Sequence, residues 1–220
     1  MTSDRTSDRT SDPHGSQPVR HYGLPLKDAN AAMILVHGRG GSASDVLGLA
    51  GDLFSPHLAY LAPEAASHTW YPNSFLAPIE ENEPWLSSAL KKVNSVVDEV
   101  VAAGITREKI AIAGFSQGAC LTTEFVARNP AKYGAVIVLT GGLIGPPNHR
   151  FEYKGSLGGT PVFFGSGDPD PHVPWERVKE SAEIFAKMGA EVKLRRYPGR
   201  PHTISREELE EAKLLMKKLA

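Results

Sequence analysis

Ile110-Ala111-Ile112-Ala113-Gly114-Phe115-Ser116-Gln117-Gly118 is the run from which the rest of the chain can be ordered. Its first four residues are apolar and read as a buried strand. Ala119 to Ala127 reads as a helix. The only G-x-S-x-G of the chain therefore falls on a strand–turn–helix junction. Such a turn holds the serine in a strained backbone conformation with its hydroxyl projecting. A side chain two residues to either side would collide, hence Gly114 and Gly118. A glycine-rich turn with a bystander serine is the plain alternative, and the flanking strand and helix argue against it.

Similar apolar runs lie on both sides: Ala32 to Val36, Leu58 to Leu61, Ala135 to Leu139, Pro161 to Phe164 and Val192 to Tyr197. Helical patterns separate them. Pro84 opens a helix over Trp85 to Val101 that Gly104 closes, and Pro174 and Gly189 bracket another. Ser205-Arg206-Glu207-Glu208 is a capping box for a last helix expected to run to the C-terminus. This alternation predicts an α/β class: a mostly parallel sheet with helices on both faces, and a ligand site beyond the carboxyl ends of the strands.

The 220 residues suit one domain, expected over 19–220. Residues 1–18 begin with the repeat Thr2-Ser3-Asp4-Arg5, Thr6-Ser7-Asp8-Arg9, which has no apolar residue to offset ordering. They are expected to form a disordered tail whose removal through residue 17 leaves melting and turnover unchanged. The net charge of −1 favours neither nucleic acid nor an anionic membrane. No apolar run approaches the roughly 20 residues of a membrane helix, and no secretory apolar core opens the chain. Cys120, the single cysteine, excludes an internal disulfide and reads as an inert small hydrophobe. A cytoplasmic protein with no metal site and no cofactor is expected.

A serine nucleophile needs a base, itself oriented by a third group. In chains with this elbow the order is serine, acid, histidine. Asp168 and Asp170, in Gly167-Asp168-Pro169-Asp170-Pro171-His172-Val173-Pro174, are both placed to supply the acid, although Asp168 would also serve as a turn residue. His202, in Tyr197-Pro198-Gly199-Arg200-Pro201-His202, lies between the last strand and last helix and is the preferred base. His149 sits in a Gly/Pro-rich excursion, and His172 is too near Asp170 in sequence for the required geometry. Oxyanion donors are expected from the backbone N–H of Gln117 and of Arg39, the latter in the glycine loop His37-Gly38-Arg39-Gly40-Gly41. The Arg39 side chain is expected in solvent or on a carboxylate, and His37 is expected to shape its loop.

Together, His37-Gly38-Arg39-Gly40 with Asp45, the serine elbow, the Asp168 to Pro174 segment and Pro198-Gly199 before His202 resemble the phospholipase/carboxylesterase family. These are small cap-less α/β-hydrolases that include acyl-protein thioesterases and bacterial carboxylesterases. The resemblance covers Ala31 to Ala220. It implies the α/β-hydrolase fold without a large cap domain, and a Ser116–His202–Asp170 triad, because the family's acid stands three residues before the Val-Pro pair.

The departures bear on substrate. The thioesterase branch carries a Trp-Phe-Asp-like element where this chain has Trp70-Tyr71-Pro72-Asn73-Ser74-Phe75, followed by Glu80-Glu81-Asn82-Glu83. It has a Trp where this chain has Gly141-Gly142-Leu143, and an aliphatic residue at His172. A more open, less lipid-like mouth is implied, as in the carboxylesterase branch. Trp70, Tyr71, Phe75, Leu143 and His172 are the candidate pocket walls, with core packing the alternative for the apolar ones. The expected function is hydrolysis of small carboxylic esters through an acyl-enzyme. Acyl-protein thioesterase or lysophospholipase activity is the alternative, and a non-catalytic ligand-binding protein of this fold a distant third. The expected partner is a small-molecule ester, with no nucleic acid and no membrane; a homodimer is compatible with the sequence.

Overall fold

Parallel strands need a crossover between them, and the chain supplies a helix at most such steps. The computed structural model describes residues 12–53, 55–217 and 219. Among these, seven strands form one sheet: β1 (Val19–Gly23), β2 (Ala31–Val36), β3 (Leu58–Pro63), β4 (Ile110–Phe115), β5 (Ala135–Leu139), β6 (Pro161–Asp168) and β7 (Glu191–Pro198). Their order is β1-β3-β2-β4-β5-β6-β7, with only β1 antiparallel to its neighbour. The five α-helices among the described residues are α1 (Ala43–Asp52), α2 (Trp85–Ala102), α3 (Gln117–Arg128), α4 (Trp175–Lys187) and α5 (Arg206–Met216). No large cap interrupts them among the described residues. Among the described residues, no helix is long and apolar enough to cross a membrane.

Strand residues alternate between two apolar layers, as a doubly covered sheet requires. Ile34, Val36, Ile112, Val138 and Phe164 pack with α2, α3 and α4 on one face. Met33, Leu35, Ala113, Ile137 and Phe163 pack with α1 and α5 on the other. The register sets Gly114 of β4 against Val36 and Val138, so the elbow leaves the sheet at its centre.

Three expectations need correction. The strand expected to end at Phe164 continues to Asp168. Its glycines look like turn punctuation, but a Cβ on Gly165 would stand 2.6 Å from Glu208 Oε1, and one on Gly167 2.4 Å from Arg200 O. They admit close neighbours rather than bend the chain. The last helix stops at Met216 instead of reaching the C-terminus. The tail expected over 1–18 is wrong from Asp12 onward, and residues 1–11 lie outside the described residues. His14 is fully buried, its Nε2 2.9 Å from Trp70 O and its Nδ1 accepting from Ala66 N at 3.0 Å. Its ring meets Trp70 and Trp85 at centroid distances of 5.3 and 5.4 Å. Asp12 accepts from Ser88 and Lys91 on α2, and Lys92 donates to Gln17 O. The segment buries a polar ring fitted between two tryptophans, which leaves no apolar pattern in the sequence.

Candidate active site

Ser116 stands between β4 and α3 at φ 53°, ψ −120°. That left-handed conformation is costly for a residue with a side chain, and the packing around it leaves no alternative. A Cβ on Gly114 would fall 2.3 Å from Gly118 O, and one on Gly118 2.2 Å from Val36 O. Both glycines are thus required by contact with backbone. Ser116 N donates to Leu139 O at 3.0 Å, tying the elbow to the end of β5.

The loop after β7 brings His202 Nε2 to 2.8 Å from Ser116 Oγ, and Nδ1 to 2.8 Å from Asp170 Oδ2. A carboxylate only accepts, so Nδ1 carries the proton and Nε2 is left to accept the serine hydroxyl. The imidazole lies between Phe115 and His172, with centroids 5.2 and 4.8 Å away. The Asp170 side chain is fully buried, and its Oδ1 accepts from His172 N and Val173 N, both at 2.9 Å. Burial pushes this carboxyl upward, but the bonds from His172 N, His202 and Val173 N outweigh it and hold it below the ordinary aspartate range. Asp168 ends β6 and pairs with Arg196 of β7, apart from the imidazole.

The glycine loop is held by His37, as expected. Its Nε2 accepts from Ala65 N at 3.1 Å, so Nδ1 must donate to Gly38 O at 2.8 Å and the ring is neutral. A Cβ on Gly38 would stand 3.5 Å from Ser116 Cβ, which places this backbone beside the serine. Of the two settings expected for the Arg39 side chain, solvent and a carboxylate, it takes the first: the residue is exposed, and its guanidinium donates to Pro72 O and Asn73 O at 2.8 and 2.7 Å.

A cavity of about 440 Å³ opens over Ser116 and His202. Tyr71, Phe75 and His172 line it, as do Arg39, Asn73, Ser74 and Cys120. Burial pushes the Cys120 thiol up to about 12, so it carries no nucleophilic thiolate. Trp70 and Leu143 are not walls. Trp70 is fully buried and donates from Nε1 to His37 O at 2.8 Å. Leu143 is fully buried in the α2–α4 layer, its backbone fixed by Ser181 and Arg177. The wall expected at Leu143 is drawn into the core because its loop is pinned under α4. His149 lies outside the cavity, against Phe151.

The sequence reading missed the Gln117 side chain. It accepts from Trp70 N at 2.9 Å and donates to Tyr71 O at 2.8 Å, fastening one cavity wall to the elbow. Only its backbone position was legible; nothing in the spacing pairs it with residues 46 and 47 positions away.

The sequence profile of the phospholipase/carboxylesterase family matches residues 24–220. The crystal structure of a phospholipase/carboxylesterase from Dyadobacter fermentans is 47% identical, superposes with a TM-score of 0.89 and covers 92% of this chain and 97% of its own. Acyl-protein thioesterase 1 of Debaryomyces hansenii is 31% identical over 224 residues, 89% of this chain and 94% of the relative. SOBER1 of Arabidopsis thaliana, at 23% identity and a TM-score of 0.72 over 87% of this chain and 99% of its own, shares the fold. By its matched length, its sheet and its relatives, this chain is a hydrolase that belongs to the phospholipase/carboxylesterase family.

Proposed function

We propose that this hydrolase cleaves small carboxylic esters through an acyl-enzyme on Ser116. The observation that carries the proposal is the unbroken line from Ser116 Oγ through His202 to Asp170, with both contacts at 2.8 Å. As Oγ bonds to the ester carbon, Nε2 takes its proton and Asp170 stabilises the imidazolium. The carbonyl oxygen becomes an oxyanion, met by the N–H groups of Gln117, at the head of α3, and of Arg39. When the carbon–oxygen bond to the alcohol breaks, Nε2 returns the proton to the leaving group. Water then repeats the sequence on the acyl-enzyme, releasing the acid and Ser116. A cytoplasmic setting is part of the same proposal.

The test is labelling by a fluorophosphonate together with ester turnover. Ser116→Ala is expected to abolish labelling and lower turnover by about 10³-fold or more while the protein stays folded. Wild-type rates in that variant would remove the proposal, and failure of the parent protein to label would favour a ligand-binding role.

A second reading is acyl-protein thioesterase or lysophospholipase activity, and the name of the Debaryomyces hansenii relative favours the first of these. The two readings separate by acyl length. Each buried methylene contributes about 0.8 kcal/mol, so a long apolar groove makes kcat/KM climb steadily through decanoate. The polar wall at Asn73, Ser74 and His172 predicts a plateau near butyrate. A continued climb selects the second reading.

A further inference from the structure

We infer that this site takes esters carrying a free carboxylate, held by the Arg39 guanidinium. This rests on the ester-hydrolase proposal and names the substrate class for it. Arg39 lines the same cavity as Ser116 and His202, and among the described residues no aspartate, glutamate or lysine lines it with them. Two of its N–H donors are spent on Pro72 O and Asn73 O, and no carboxylate pairs with it among the described residues. Those two carbonyls fix the guanidinium and leave its full charge and remaining donors available. A planar cation already fixed in place loses little freedom on binding a carboxylate.

The surroundings agree. Asp170, the carboxylate in contact with a lining residue, is fully buried behind His202 and already accepts from His172 N, Val173 N and His202. The acidic run Glu80, Glu81 and Glu83 contributes no lining residue.

The carboxylate can sit on the acyl or the alcohol side, and two substrate pairs distinguish these. Monoethyl glutarate is compared with ethyl pentanoate, and 4-acetoxybutanoate with butyl acetate, by proton release at constant pH. The readout is the ratio of kcat/KM for the anionic ester to that for its neutral partner, in which general damage to the site cancels. In Arg39→Gln this ratio is expected to fall about fivefold or more for one pair, and Arg39→Lys to recover most of it. In the parent protein, glutarate is expected to inhibit ethyl pentanoate cleavage more strongly than 1,5-pentanediol does, and less so as salt is added. Ratios within twofold of the parent in Arg39→Gln for both pairs, or equal inhibition by glutarate and the diol, overturn the assignment. Cleavage of neither partner together with no fluorophosphonate labelling overturns the ester-hydrolase proposal itself.

Discussion

Two aspartates two residues apart end in different jobs because β6 stops between them. Asp168 is its last residue, in register with Pro198, and faces Arg196. Asp170 is past the sheet, where the loop folds its carboxylate under His202. Asp170→Asn is therefore expected to lower kcat by about 10⁴-fold, because an amide no longer holds the imidazole in the productive tautomer. Asp168→Asn should cost less than about tenfold, and the reverse order would show that the imidazole is oriented from elsewhere. Spacing alone left these two open, since both sit on the correct loop and the strand's glycines hid its true end. Trp70 and Leu143 were misread for a related reason. Sequence registers that a residue is large and apolar, but a loop residue has no periodicity to say whether it faces cavity or core.

The serine elbow and the main strands and helices were legible because apolar period, caps and glycines coincide there. The α5 cap illustrates how far such a signal reaches. Ser205 and Glu208 form the expected capping box, yet Glu208 is fully buried and its Oε1 also accepts from Arg200 at 3.0 Å. It thereby ties both ends of the loop that carries His202. Burial pushes its carboxyl up, against the hydrogen bonds from Ser205 and the charge of Arg200. Arg200 Nε and Nη1 are already buried without partners. Glu208→Ala would leave the guanidinium without a carboxylate, with only the Thr140 hydroxyl 3.3 Å from Nη2 and the Tyr197 ring face beside it, at a cost of about 3–5 kcal/mol. Melting should drop by roughly 10 °C, with kcat falling more than KM changes. A variant that melts like the parent would show that the pair contributes nothing net.

For the molecule as a whole, the most telling groups are two imidazoles buried in neutral form. His14 and His37 each accept a backbone N–H on one ring nitrogen, so neither has room for a second proton. Burial lowers both from the ordinary value of 6.5. Above that value folded and unfolded chains are equally deprotonated there, and stability is intact. As pH falls below it, the unfolded chain takes up protons that the folded one refuses, and stability declines. Asp170 acts in the same direction, but its stabilisation is lost only as pH falls below the ordinary 3.8. Melting temperature is thus expected to fall steadily from about pH 7 to pH 5. A chain shortened through Gln17 should start several degrees lower and lose stability less steeply, having no His14 to charge. Equal slopes would assign the whole effect to His37.

The docking of residues 12–18 also bears on how the chain reaches its native state. The long-range hydrogen bonds of Asp12, His14 and Gln17 bridge sequence separations of 52 to 79 residues, to the turn after β3 and to α2. Closing loops of that length costs entropy that is recovered only once both partners are in place. These residues, synthesised before every partner they dock against, are then among the last to find their seat. Until Ser88 has emerged and α2 has wound, they wait beside an unfinished fold.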